Sequence, residues 1–201
     1  MHQLPRRLKT PVPLVVDELP AFRRHHVKNV LDLGCGAGRN CLFLAKEGFD
    51  LVGLDISGSA LRITNARLHK ERMANIGLAR GTMINLPFGN CCLDTVISIS
   101  VIHHAVKKDI QKIISEVYRI LRKNGMFFTN VASIEDPRHG EGEEVEKNTF
   151  RILEAFEEKR FEELHHFLTR HEISEMFACF NNLDVELLRE KPHYWKIMAT
   201  K

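Results

Sequence analysis

Short apolar runs alternate with helix-length amphipathic segments through the first two-thirds of the chain. The runs stand at NVLDL (29–33), DLVGLD (50–55), a weaker one near 77–82, DTVISIS (94–100) and GMFFTNV (125–131), each short and rich in β-formers. Between them NCLFLAKEG (40–48), SGSALRITNARLHKERMAN (57–75) and DIQKIISEVYRILRKNG (109–125) carry apolar residues at helical spacing. The last two close on basic residues and a stop at Asn or Gly, and Ser57 or Ser59 stands where the second needs a cap. Such alternation predicts a parallel sheet built from βαβ units.

The pattern changes at both ends. TPVPLVVDELPAFRRHH (10–26) predicts a short helix interrupted near Pro20. Residues 133–170 are rich in Glu, Arg and His, with a polar loop around Asp136 to Gly142 and an expected amphipathic helix near 145–163. LDVELLRE (183–190) and HYWKIMATK (193–201) flank Lys191-Pro192 and read as antiparallel strands closing one edge. The expected fold class is α/β: a seven-stranded mixed sheet, mostly parallel with an antiparallel C-terminal strand, and helices on both faces. One domain over 1–201 is expected, with 1–28 as an N-terminal cap segment and 133–171 as an insertion over the active face.

Composition narrows this little. At 201 residues, 44% hydrophobic and 27% charged, the chain is long enough to bury one real core. The net charge of +3 neither demands nor excludes a polyanionic partner. The bases of Met1 to Lys9 precede no apolar signal region, and no run has the length of a membrane span, so a cytoplasmic protein without a membrane partner is expected. Cys35, Cys41, Cys91, Cys92 and Cys179 are odd in number and irregularly spaced in apolar or strand-like contexts, as reduced structural thiols are. The doublets His25-His26, His103-His104 and His165-His166 lack Cys or Asp at a recognisable metal spacing, so no metal is expected.

The strongest chemical signal is VLDLGCGAGRN (30–40), a strand followed by Gly34, Gly36 and Gly38 and then a helix. Glycines at such a turn allow positive φ and close approach of a ligand, and the helix amino end favours negative charge. A dinucleotide fingerprint requires its third glycine one residue later, where this chain has Arg39. Asp55 ends the second strand about twenty residues beyond the loop, where a carboxylate can accept both ribose hydroxyl protons of an adenosine. Its alternative role is to cap the helix that starts near Ser57. Ile56 stands next, where it can pack on an adenine ring.

Taken in order, LDLGCGAG, GLDIS, NLPFGNCCLDTVISISVIHH and EVYRILRKNGMFF resemble the serial motifs of class I S-adenosylmethionine (SAM) dependent methyltransferases, of the type 11-like kind, over residues 29–131. The resemblance implies a Rossmann-like sheet, SAM as cofactor and S-adenosylhomocysteine as product. It implies that Asp32 and the loop of Gly34, Cys35, Gly36 and Gly38, with Asn40, hold the methionine portion. Asp55 would hold the ribose, Thr82 and Met83 the adenine edge, and Ser100 would line the methionine pocket. Thr82 stands where many relatives carry Asp. His103 and His104 follow the fourth strand, where ligands gather in such sheets, and are candidates for substrate contact or a catalytic base, with cofactor or helix packing an equal alternative.

The ending HFLTRHEISEMFACF to HYWKIMATK resembles small-molecule members, including the tellurite-resistance-like group, so a small-molecule acceptor is expected. SISVIHH also resembles the wobble-uridine tRNA methyltransferases, for which Arg23, Arg24, His25, His26 and Lys28 would form a basic rim. No appended RNA module or aromatic stacking pattern accompanies it. A third reading is a non-catalytic SAM-binding protein.

Overall fold

A strand buried on both faces divides its apolar residues between two cores, and the central strands of this chain do so. The computed structural model describes residues 5, 8–73, 76–156, 159–190 and 192–201. The strands β1 (Asn29–Leu33), β2 (Asp50–Asp55), β3 (Ile76–Arg80), β4 (Leu93–Ile99) and β5 (Leu121–Ala132) pair in parallel. Leu31, Leu33, Val96 and Phe127 enter one core, with Ile110, Ile113 and Val117 of a long helix. Val30, Leu51, Ile97 and Phe128 enter the other, with Val15, Phe22 and Leu44. Helices therefore cover both faces.

On the second face lie α1 (Pro13–Asp17), α2 (Leu19–Arg24) and α3 (Arg39–Lys46). The break near Pro20 is real: Glu18 separates two short helices, and Pro20 occupies the first turn of α2, where its missing N–H costs nothing. Next come α4 (Gly58–Lys70) and α5 (Lys107–Ile120). Ser57, not Ser59, caps α4 by accepting the Ala60 N–H at 3.2 Å. Both helices end earlier than their basic tails suggested. The expected end of α4 at Ala74 and Asn75 lies outside the described residues. The end of α5 moves to Ile120 because Leu121 is already extended and pairs with Leu93 of β4.

The expected helix over 145–163 is not there. The segment instead forms a small antiparallel sheet of β6 (Glu143–Glu146), β7 (Thr149–Phe156) and β8 (Lys159–His166). Alternation decides it: Phe150 and Ile152 are buried while Arg151 and Leu153 face outward, a period of two that the charge-rich composition masked. Asn148, at φ 63°, makes the turn between β6 and β7.

After it come α6 (Arg170–Met176), β9 (Asn182–Leu188) and β10 (Tyr194–Thr200). The main sheet has the order β3-β2-β1-β4-β5-β10-β9, with β10 antiparallel to both neighbours, as expected of the C-terminal edge. Lys191, between those strands, lies outside the described residues, as do Met1 to Leu4, Arg6 and Arg7 of the expected cap segment. Thr169 and Glu172 form a capping box at α6, each side chain receiving the other's backbone N–H. Thr169→Ala is expected to cost about 1 kcal/mol, read as a lowered midpoint in urea unfolding at unchanged slope. Among the described residues no helix is long and apolar enough to cross a membrane.

Candidate functional site

The carboxyl ends of β1, β2 and β4 meet on one edge of the sheet, where open α/β sheets bind ligands. The chain leaves β1 through the glycine loop, held down from several sides. The N–H groups of Gly34 and Cys35 both donate to the Leu54 carbonyl, at 2.8 and 3.1 Å. Thr64 Oγ1 donates to the Gly36 carbonyl at 2.7 Å, and the Arg67 guanidinium donates to the carbonyls of Ala37 and Leu8. Asp55 fastens the loop from the ligand side: one carboxylate oxygen accepts the Gly36 N–H at 2.7 Å and the other the Ser57 N–H at 2.8 Å. Asp55 therefore does support the start of α4, and it tethers the loop as well. A carboxylate has about four acceptor positions, so two remain for hydroxyl groups.

A cavity of about 450 Å³ opens beside these groups, in the usual range for a small ligand. Of the expected residues, Gly34, Asp55, Ile56, Thr82, Met83 and Ser100 line it, together with His104. Ile56 is 67% exposed beside Asp55, an apolar side chain held open to solvent at the mouth. Ser100 is a non-glycine residue at φ 58°, and its N–H donates to Asn130 Oδ1 at 2.6 Å. Backbone strain fixed by a buried amide at a cavity wall is characteristic of functional sites.

The other expected residues lie around the cavity and not on it. Gly36 offers its N–H to Asp55, and Cys35 is buried. Gly38 is the left-handed residue before α3 and packs on Thr64. Asn40 is buried and accepts the Val12 N–H at 3.1 Å, joining α3 to the amino-terminal segment. Asp32 is buried beneath the loop, where it accepts the Cys41 thiol proton at 3.2 Å. The absence of a side chain at Gly53 makes room there for the thiols of Cys35 and Cys41. These two cysteines are buried as expected, whereas Cys91 and Cys179 are exposed, and all five are free thiols.

Burial raises the Asp32 carboxyl from 3.8 to about 6, against the opposing Cys41 hydrogen bond. Between these values the folded chain holds a proton that the unfolded chain releases, so stability falls as pH rises through the window and stays lower above it. Asp32→Asn keeps the shape and removes the charge. It is expected to be more stable than wild type by about 3 kcal/mol above pH 7, with the gap closing in acid, in denaturant titrations across pH.

The two members of the His103-His104 doublet part company. His104 faces the cavity, with Nδ1 3.0 Å from the Leu164 carbonyl and 3.6 Å from Glu163. His103 is fully buried, and its ring centroid is 4.3 Å from that of His104. Burial, reinforced by His104, His165 and Arg138, holds His103 well below the ordinary imidazole range. His165, buried on β8, is held at about 3 chiefly by the same desolvation. Glu163, also on β8, lines the cavity and was not expected there. Asn130, Thr64 and Arg67 were missed as well: none stands in a motif, and each acts through a partner at least 28 residues away in sequence.

The arrangement suits an adenosyl ligand: a carboxylate for a ribose diol, an apolar rim at Ile56 and Met83 for a flat base, and a polar end at Ser100, His104 and Glu163. Residues 30–125 match the family model described as a methyltransferase domain. An uncharacterized methyltransferase of Synechocystis is 35% identical over 100 residues, covering 50% of this chain and 45% of that one. The chain spans about half the length of the curated relatives it first matches. A SAM-dependent methyltransferase from Methanosarcina mazei superposes with a TM-score of 0.77 at 19% identity, over 96% of this chain and 98% of that one. The 1,6-didemethyltoxoflavin-N1-methyltransferase of Burkholderia thailandensis, solved with 1,6-didemethyltoxoflavin and S-adenosylhomocysteine bound, superposes at 0.68 with 17% identity, over 94% and 78%.

Proposed function

We propose that the chain, whose residues 30–125 match a methyltransferase domain, is a class I SAM-dependent methyltransferase that transfers a methyl group from SAM to a small-molecule acceptor in the cavity beside Asp55. The observation that carries this is the Asp55 carboxylate, which tethers the glycine loop and keeps acceptor positions free beside an exposed Ile56. Asp55 would hold the ribose, Ile56, Thr82 and Met83 the adenine, and the loop with Ser100 the methionine portion. His103 and Asp32 are assigned supporting roles, since neither lines the cavity.

Bound SAM supplies a methyl carbon on a sulfonium, a good leaving group, so alignment of the acceptor and exclusion of water supply much of the acceleration. His104 and Glu163 stand at the cavity end away from the adenosine contacts and would orient the acceptor or take its proton. Glu163 comes from β8, which supports assigning residues 133–171 as the cap that selects the acceptor. The 1,6-didemethyltoxoflavin bound in the Burkholderia neighbour favours a small acceptor. The placement of the basic rim disfavours tRNA: Lys28 leads into the amino end of β1, the edge opposite the cavity, and Arg23 is paired with Glu47 at 2.7 Å.

The test is incubation with methyl-labelled SAM and cell extract, followed by separation of small molecules, RNA and protein, with Asp55→Ala as control. Label in the small-molecule fraction that the variant does not produce is the expected result. Label in RNA would replace the proposal with the tRNA reading, and SAM binding without transfer to any fraction would leave a non-catalytic SAM-binding protein.

A further inference from the structure

His103, His104 and His165 come together from two places in the chain. The doublet follows β4, and His165 lies on β8 of the small sheet. Their ring centroids are 4.3, 4.6 and 5.8 Å apart, and one ligand nitrogen from each lies within 4.8 Å of the other two. Neither ring nitrogen of His103 makes a hydrogen bond, and neither does Nδ1 of His165, although both rings are buried; Nε2 of His165 has Glu154 Oε1 at 3.2 Å. Buried polar atoms are nearly always satisfied, so three unmatched nitrogens in one cluster require an explanation. His104 supplies the remaining element. With its Nδ1–H donating to the Leu164 carbonyl at 3.0 Å, Nε2 is left with a free lone pair, the arrangement in which a second-side hydrogen bond orients a ligating imidazole.

We propose that His103, His104 and His165 form a binding site for a divalent transition-metal ion of the Zn²⁺ class, at the acceptor end of the cavity. Three imidazoles with one open position are a recognised Zn²⁺ donor set. Zinc–nitrogen bonds of about 2.0–2.1 Å place tetrahedral ligand nitrogens roughly 3.4 Å apart, so ring rotations that close the nitrogens by up to about 1.4 Å complete the site. The surroundings suit a cation. Glu163 lies 3.6 Å from His104 and 4.0 Å from His165, and Glu154 lies 3.2 Å from His165. The neighbouring cation, Arg138, is already paired with Asp136 at 2.9 Å and Glu154 at 3.3 Å. The contrary reading is a stack of neutral rings against Phe167 and Tyr194. That reading accounts for ring packing and leaves both nitrogens of His103 and Nδ1 of His165 unmatched.

Because His104 faces the cavity and the other two rings do not, the open coordination position would face the acceptor and take water or the acceptor's heteroatom. The ion would also join the small sheet to the turn after β4, fixing the wall that carries Glu163. The site rests on the three rings alone and holds whether or not SAM binds.

The experiment uses the purified full chain after chelator treatment, titrated with Zn²⁺ by calorimetry and with Co²⁺ by visible absorption. The expected result is one equivalent per chain, with His165→Gln weakening Zn²⁺ at least about 100-fold, at or beyond the upper end of what loss of a supporting partner costs. His171→Ala, at an exposed histidine outside the cluster, is expected to leave Zn²⁺ affinity unchanged. If His165→Gln does not fold, as read by its melting curve, His104→Ala is the second variant and is expected to show the same loss. Absence of saturable one-equivalent uptake by the wild type, or equal affinity in a folded cluster variant, overturns the proposal. SAM affinity is measured on the same samples: SAM binding without metal uptake overturns this site alone, and metal uptake without SAM binding overturns the methyl-transfer reading alone.

Discussion

Asp55→Ala is expected to weaken SAM binding about 100-fold, near 2.7 kcal/mol, in calorimetric titration. Two losses combine. The ribose loses its charge-assisted hydrogen bonds, each typically stronger than a neutral one. The loop loses its tether, since the N–H groups of Gly36 and Ser57, which now donate to the two carboxylate oxygens, are left to solvent. Asp55→Asn separates the two contributions. Its amide retains one oxygen but points a donor at a donor, so an intermediate loss of about ten-fold is expected. A variant that melts like wild type and binds SAM equally well would remove Asp55 from the ribose site.

Gly38→Ala is expected to cost about 2–4 kcal/mol and to abolish SAM binding at concentrations that saturate the wild type. Gly38 sits at φ 75°, where an L side chain is strained, and an added Cβ would lie 2.5 Å from Thr64 Cγ2 and 2.9 Å from Thr64 Oγ1. Thr64 cannot yield without releasing the Gly36 carbonyl, which its hydroxyl holds at 2.7 Å. The effect on binding is thus transmitted through the loop, because Gly38 itself does not line the cavity. The double variant Gly38→Ala with Thr64→Ser removes the crowding methyl and keeps the hydroxyl. It is expected to recover part of the stability lost and leave the backbone strain. Wild-type stability in Gly38→Ala would show that the loop tolerates a side chain there.

The parallel core and the two C-terminal strands β9 and β10 were legible because their signals are local. An apolar run bounded by glycine or a helical repeat identifies itself, and the carboxyl ends of β1, β2, β3 and β4 then define where a ligand sits. Gly34, Asp55, Ile56, Thr82, Met83, Ser100 and His104 all line the cavity because each stands at or just after such a strand end. Asn40 and Asp32 illustrate the limit. Both follow motif positions, yet Asn40 turns toward Val12 and Asp32 toward Cys41, choices made by partners that spacing does not reveal. The helix expected near 145–163 failed for another reason. Its Glu and Arg residues on both sides of Phe150 and Ile152 satisfy a helical pattern as readily as an alternating one, and pairing with β8 decides between them. With that strand came Glu163 and His165, which no reading of the doublet His103-His104 alone could have placed beside it.

The most direct test of the central claim is a crystal structure of the chain with S-adenosylhomocysteine. The ribose hydroxyls are expected to donate to Asp55, the adenine to lie against Ile56 near Thr82 and Met83, and the thioether sulfur to face His104 and Glu163. A ligand bound away from Asp55, or one whose sulfur points away from His104, would contradict the account.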